Sequence, residues 1–239
     1  MKIKTLLSPL NVDDLYFTNK TTVVIDVLRA TTTIVTALNN GAKEIIPVGS
    51  IEFAIKISGD AFSSLTLLAG ERNTKKIEGF ALGNSPLEFS NEIVNGKSIV
   101  LFTTNGSKAI VKAKYSSRLF ITSFLNSASV AKKVNDSEEL NILCSGNNGL
   151  FSFEDSACAG DLIDEILQIN ENVELDDASK TCHMLFQKNK RSLRKMLSET
   201  EHGKKLIEQG FKDDIKYAAQ KNIIDLVPQF GKGSIKLSN

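Results

Sequence analysis

The chain has 239 residues, 41% of them hydrophobic and 24% charged, with a formal net charge of +1. That is an ordinary composition for a globular protein able to bury a sizeable core, and the near-neutral charge excludes a global pull towards nucleic acid or a membrane surface. Three cysteines, Cys144, Cys158 and Cys182, lack C-x-x-C spacing, which argues against a disulfide framework or zinc knuckle and for a reducing compartment.

The N-terminal run MKIKTLLSPLNVDD is too short in apolar residues for a signal peptide. No stretch approaches the roughly 20 apolar residues that span a bilayer. A cytoplasmic location is expected, without nucleic-acid or membrane partners; oligomeric state, a homo-oligomer included, is left open. In chain order, strands are expected at Thr22–Val27, Glu44–Val48, Leu65–Ala69, Ser98–Thr103, Leu119–Thr122 and Asn141–Cys144. Several are apolar throughout, as in strands covered on both faces. Helical patterns lie between them at Thr31–Asn39, Ile51–Ser58, Pro86–Val94 and Ser127–Val134, with Gly41 and Gly96 at C-cap positions. The alternation predicts a three-layer α/β/α fold with a mainly parallel or mixed sheet. From about Phe153 the pattern is mostly helical, closing on a short strand at Ile223–Val227. A single domain over residues 1–239 is expected, its helical portion (about 153–222) either covering one end of the sheet or forming a small subdomain.

The chemistry-bearing residues fall in turns after strands. Asp26-Val27-Leu28-Arg29-Ala30-Thr31-Thr32-Thr33 follows the first, Thr103-Thr104-Asn105-Gly106-Ser107 the fourth, and Cys144-Ser145-Gly146-Asn147-Asn148-Gly149 the last. Ser152-Phe153-Glu154-Asp155 then opens a helix. Ligands of open α/β sheets bind beyond the carboxyl ends of the strands, where helix N-termini offer unpaired N–H groups. Each turn alone has a plain structural reading: Thr31–Thr33 as a helix cap, Thr104-Asn105-Gly106 as an ordinary turn, Ser152 and Asp155 as a capping pair. Asn84-Ser85-Pro86 reads as a cap with Pro at the first helical position. Arg29 and Asp26 beside an apolar strand end are expensive unless an anion, a carboxylate or a metal meets them, so the conjunction favours a site.

A phosphate monoester needs charge neutralisation, a positioned nucleophile and help for the leaving oxygen. Arg offers a fork for phosphate or sulfonate, and Asp26, Glu71, Glu154, Asp155 and Asp161 are candidates to hold a hard cation. Other phosphatase chemistries fail on the residues. At the Arg position of C-x5-R stand Leu150, Asp164 and Lys188. His183 and His202 lie in polar helical sequence and read as surface or packing residues. Asp26 lacks the second Asp of D-x-D, and no phosphate-loop or dinucleotide motif is present. Cys158 reads as a small packing residue.

The segments Val24-Ile25-Asp26-Val27-Leu28-Arg29-Ala30-Thr31-Thr32, Gly70-Glu71-Arg72, Gly79-Phe80 with Gly83-Asn84-Ser85-Pro86, Thr103-Thr104-Asn105-Gly106, and Phe151-Ser152-Phe153-Glu154-Asp155 with Cys158-Ala159-Gly160 resemble the signature segments of the ComB-type 2-phosphosulfolactate phosphatase family. Gly210-Phe211-Lys212-Asp213-Asp214-Ile215 and Val227-Pro228 resemble its ending, so the likeness runs through most of the chain. It departs at Ser107-Lys108, at Asn73 and at the Cys144–Asn147 turn, which bears on fine substrate preference. The resemblance implies a three-layer α/β/α fold and Mg²⁺-dependent hydrolysis of 2-phosphosulfolactate to 3-sulfolactate and phosphate, on a route to coenzyme M. On this reading Asp26, Arg29, Glu154 and Asp155 are catalytic. Arg29, Thr31, Thr32, Asn84, Ser85, Thr103, Thr104, Asn105, Gly106 and Ser107 bind the small anionic substrate, and Asp26, Glu71, Glu154 and Asp155 hold the metal or activate water. Asp26 as a phosphorylated nucleophile stays open. So do two other readings: a phosphatase for another small 2-phospho-acid, and a sulfonate- or phosphate-binding module without catalysis.

Overall fold

The structure is a computed structural model that describes residues 1–61 and 65–238. In chain order its elements are β1 (Lys2–Leu6), β2 (Thr21–Ile25), α1 (Ala30–Asn39), β3 (Glu44–Val48), α2 (Ile51–Ala61), β4 (Thr66–Arg72), β5 (Lys75–Lys76), α3 (Asn91–Val94), β6 (Ser98–Phe102), α4 (Gly106–Lys112), β7 (Arg118–Thr122), α5 (Ser127–Val134) and β8 (Glu139–Cys144). Then follow α6 (Phe153–Leu167), β9 (Glu174–Leu175), α7 (Asp177–Asn189), α8 (Leu193–Glu199), α9 (Glu201–Glu208), α10 (Lys212–Ala218), β10 (Pro228–Gly231) and β11 (Ser234–Leu237). No helix among the described residues is long and apolar enough to cross a membrane.

The strands form one mixed sheet in the order β5-β4-β6-β3-β11-β10-β7-β2-β8-β1-β9. Two parallel groups, β4-β6-β3 and β7-β2-β8-β1-β9, are joined by the antiparallel hairpin β10–β11. Side chains alternate between faces along each strand, and the cores follow that alternation. Val24, Ile45, Ile99, Leu101, Leu119 and Ile121 pack on one face with Ile34, Ala37 and Leu38 of α1 and Ala109 and Ile110 of α4. On the other face Val23, Ile25, Phe120 and Ile142 meet Val130 of α5, Leu162 and Ile163 of α6 and Phe186 of α7. Val48, Val100 and Phe102 meet Ala54 of α2 on that same face. The result is the expected three-layer α/β/α arrangement, with α8–α10 joined to the larger core through Leu197, Leu206 and Ile215.

Three local expectations are corrected. Pro86–Val94 is not one helix: a 3₁₀ turn at Pro86–Glu88 precedes the short α3. Phe89 is buried, and its carbonyl accepts from Asn40 Nδ2 at 2.7 Å instead of from a helical N–H. Ile223–Val227 is not a strand. It runs past the end of β7, with isolated bonds from the Asn222 and Ile224 N–H groups to the Phe124 and Leu125 carbonyls. The closing strands are β10 and β11, turned by Lys232 and Gly233 at φ 53° and 84°, both in the left-handed region that two-residue hairpins use. β1 was not expected at all; it pairs parallel to β8 over its full length.

Candidate active site

The turns after β2, β4 and β6, the turn after β8 and the start of α9 meet at one cleft. The β2 turn supplies Asp26, Leu28 and Arg29, and the β4 end supplies Glu71, Asn73 and Thr74. The β6 turn adds Thr104 and Asn105, the β8 turn Asn147 and Asn148, the loop between β5 and α3 Asn84, and α9 His202 and Lys205.

Short hydrogen bonds weld these turns together. Glu71 accepts the Thr104 N–H on Oε1 and the Thr74 N–H on Oε2, both at 2.7 Å. Asn105 Oδ1 accepts the Asn148 N–H at 3.1 Å. Asp155 Oδ1 accepts the Val27 N–H at 2.9 Å and its Oδ2 the Gly146 N–H at 3.1 Å, tying the β2 turn to the β8 turn. Asp26 Oδ1 accepts the Ala30 N–H at 3.1 Å. Burial pushes the Asp26 carboxyl up to about 7; the Ala30 N–H opposes that push, while the Glu71 and Glu154 carboxylates add to it.

Arg29 is buried, and its Nη1 donates to Asp214 Oδ2 at 2.7 Å. The carboxylate that its position demands therefore comes from α10. His202 is held below its ordinary range by burial first and the Arg29 charge second. Two buried oxygens at the cleft, Asn84 Oδ1 and Thr104 Oγ1, have no hydrogen-bond partner among the described residues. Buried polar atoms of that kind call for a ligand, ion or water.

Of the residues given a catalytic, substrate-binding or metal role from sequence, Asp26, Arg29, Glu71, Asn84, Thr104 and Asn105 line the cleft; the others with such a role do not. The Thr31 and Thr32 hydroxyls donate to the Asp26 and Val27 carbonyls at 2.8 and 2.7 Å, closing the first turn of α1. Ser85 Oγ donates to Asp214 Oδ1 at 2.6 Å. Thr103 and Ser107 cap each other, with bonds of 2.8 Å from the Thr103 N–H to Ser107 Oγ and 2.9 Å from the Ser107 N–H to Thr103 Oγ1. Gly106 is buried where α4 meets Asp26. Asp155 is buried beneath the β2 and β8 turns and Glu154 is buried beside Thr200, while Ser152 caps their helix as its spacing suggested. Burial, together with the Asp26 and Glu154 carboxylates, drives Asp155 well above the ordinary carboxylate range. Asp161 lies elsewhere, 2.8 Å from Lys221 Nζ.

Among the described residues, no three His, Cys, Asp or Glu side chains are grouped so as to hold a metal on their own. The all-oxygen set of Asp26, Glu71, Asn84 Oδ1 and Thr104 Oγ1 does suit a hard cation that keeps water and substrate oxygens in its shell. Sequence reasoning missed Thr74, passed over Lys205, and read His202 as a surface or packing residue, yet all three line the cleft. The last two stand three apart on α9, where such spacing puts both on one face; that pairing was the available signal.

The sequence model of the 2-phosphosulpholactate phosphatase family matches residues 8–233. A protein named probable 2-phosphosulfolactate phosphatase from Clostridium novyi (strain NT) is 43% identical over 231 residues, covering 96% of this chain and 97% of the relative. One of the same name from Clostridium beijerinckii is 41% identical, covering 98% of this chain and 99% of the relative. Another from Caldanaerobacter subterraneus subsp. tengcongensis is 39% identical and covers 95% of each. Fold, cleft and relatives together define a phosphoric monoester hydrolase. The chain belongs to the 2-phosphosulpholactate phosphatase family.

Proposed function

We propose that this protein hydrolyses 2-phosphosulfolactate to 3-sulfolactate and phosphate, with Mg²⁺ held by Asp26 and Glu71. The observation that carries this reading is the meeting of those two carboxylates with Arg29 and two partnerless buried oxygens in a single cleft. Each Glu71 oxygen accepts one N–H and keeps a second lone pair. Asn84 Oδ1 and Thr104 Oγ1 would complete the protein's share of the shell. Magnesium supplies neutralisation of charge on the phosphoryl oxygens.

The chain's own groups do the remainder. Arg29 presents its uncommitted N–H donors to the phosphoryl group. His202, uncharged at neutral pH, can accept a proton from water on one face of the cleft or pass one to the leaving oxygen. Lys205 at the exposed rim meets the substrate's other negative groups. A cytoplasmic setting belongs to the same proposal: the three cysteines are free and buried, which fits a reducing compartment. So does a place on a route to coenzyme M.

The test is phosphate release from 2-phosphosulfolactate, with Mg²⁺ and with chelator, for the parent chain and for Asp26→Asn and Glu71→Gln. Release that needs Mg²⁺ and falls at least about a hundredfold in both variants supports the reading. Undiminished release in chelator removes the metal from it. Faster release from other 2-phospho-acids than from 2-phosphosulfolactate removes the substrate.

A further inference from the structure

Arg29 stands at the N-cap of α1 and makes no side-chain cap bond there. Its guanidinium is instead held by partners far along the chain. Nη1 donates to Asp214 Oδ2 at 2.7 Å and Nη2 to the Thr74 carbonyl at 3.2 Å. The Phe211 ring lies 4.2 Å from Cζ and covers one face. Asp214 is buried as deeply as Arg29, and its second oxygen accepts from Ser85 Oγ at 2.6 Å. Both ends of the pair are therefore fixed. A guanidinium has five N–H donors, so donors remain for the cleft that Arg29 lines.

A buried ion pair seldom stabilises a fold more than apolar side chains of the same volume would. Its presence here calls for another explanation, and the orientation of Arg29 supplies one. We infer that Asp214 is a positioning residue: from α10, with Ser85 behind it and Phe211 beside it, it aims the uncommitted donors of Arg29 at the phosphoryl oxygens. This rests on the phosphatase reading above, in which Arg29 touches the substrate and Asp214 does not. Small displacements of a positioned group weaken catalysis disproportionately, so α10 governs the reaction without reaching the reacting atoms.

The experiment is a double-mutant cycle on kcat/KM for phosphate release from 2-phosphosulfolactate in saturating Mg²⁺. Asp214→Asn keeps the shape and loses the charge, and is expected to lower kcat/KM by about tenfold to a hundredfold. Ser85→Ala frees the far oxygen of Asp214 while leaving every charge in place, and is expected to lower it by less. Both losses should vanish when Arg29 is already Ala. Losses that persist undiminished in the Arg29→Ala background, or no loss from either variant, overturn the inference. Should Asp214→Asn fail to fold, Ser85→Ala carries the cycle alone. An Arg29→Ala enzyme with parental kcat/KM would overturn the role of Arg29 itself, and the inference with it; that result is distinct from additive losses.

Discussion

Gly106 and Asp26 approach each other more closely than any other residue at position 106 would permit. A Cβ there would lie 2.5 Å from Asp26 Oδ2 and 2.4 Å from Ala30 Cβ. The Gly106 N–H is also one of the donors that oppose the upward push on the Asp26 carboxyl. The first residue of α4 is thus part of the floor under the carboxylate.

Gly106→Ala is expected to displace Asp26. Overpacking of this kind destabilises by about 1–3 kcal/mol, and a displaced carboxylate should lower phosphate release by at least about tenfold. Thermal unfolding and steady-state kinetics check the two effects. Parental activity in this variant would mean that the Asp26 position is not critical.

Magnesium binding should depend on pH through Asp26. Its carboxyl sits at about 7 without metal, and a cation must displace the proton. Apparent affinity is expected to rise about tenfold per pH unit up to about pH 7 and then level off, with up to one proton released per ion bound. Calorimetry in buffers of different ionisation heat measures both. In Asp26→Asn the affinity should be low and that pH dependence absent.

Away from the cleft, Asp161 gives a stability prediction. Burial raises its carboxyl to about 6 against the opposing pull of Lys221. A carboxyl raised on folding favours the native state most below its unfolded pKa near 4, and that contribution is lost as pH climbs to about 6. The loss amounts to about 3 kcal/mol. Asp161→Asn should flatten the fall in stability between pH 4 and 6 relative to the parent, as read by urea unfolding across that range. Parallel pH curves for the two proteins would refute the shift.

Lys205 is exposed at the rim, so Lys205→Ala should leave the melting temperature within about a degree or two. It is expected to raise KM several-fold with little change in kcat, the pattern of a contact made equally in ground and transition states. Added salt should narrow the difference between the two enzymes. Equal KM values at low ionic strength would take Lys205 out of substrate binding.

The sheet was legible because apolar runs covered on both faces need no tertiary information to recognise. Most expected strands agree with the structure to within a residue or two, and Ser127–Val134 agrees at both ends. The C-terminal hairpin was missed because Gly231-Lys232-Gly233 was not read as a turn, and β1 because Lys2 and Lys4 break the continuous apolar run by which the other strands were recognised. Within the cleft, Asp26 and Arg29 stood out because charged groups beside an apolar strand end need partners, while Glu71, Asn84, Thr104 and Asn105 were marked by their strand-end turns and by the family resemblance. Sequence could not tell which hydroxyls face a ligand and which close a helix turn: Thr31, Thr32, Thr103 and Ser107 all bond within the chain. Nor could it bring α9 and α10 to the β2 turn. Contacts such as Arg29 with Asp214, 185 residues apart, arise only from tertiary packing.

The place of β10 and β11 between the two parallel groups has a consequence for how the molecule is made. During synthesis β7 and β3 emerge early, yet each waits for an inner neighbour encoded near residues 228–237. Until the ribosome has delivered that stretch, two unpaired inner edges remain open to wrong partners, a hazard for any nascent chain. The sheet therefore closes only after both parallel groups have been made. Shortening or crowding of the hairpin should show itself first as poor recovery of folded protein in cells, before any change in the chemistry of the molecules that succeed.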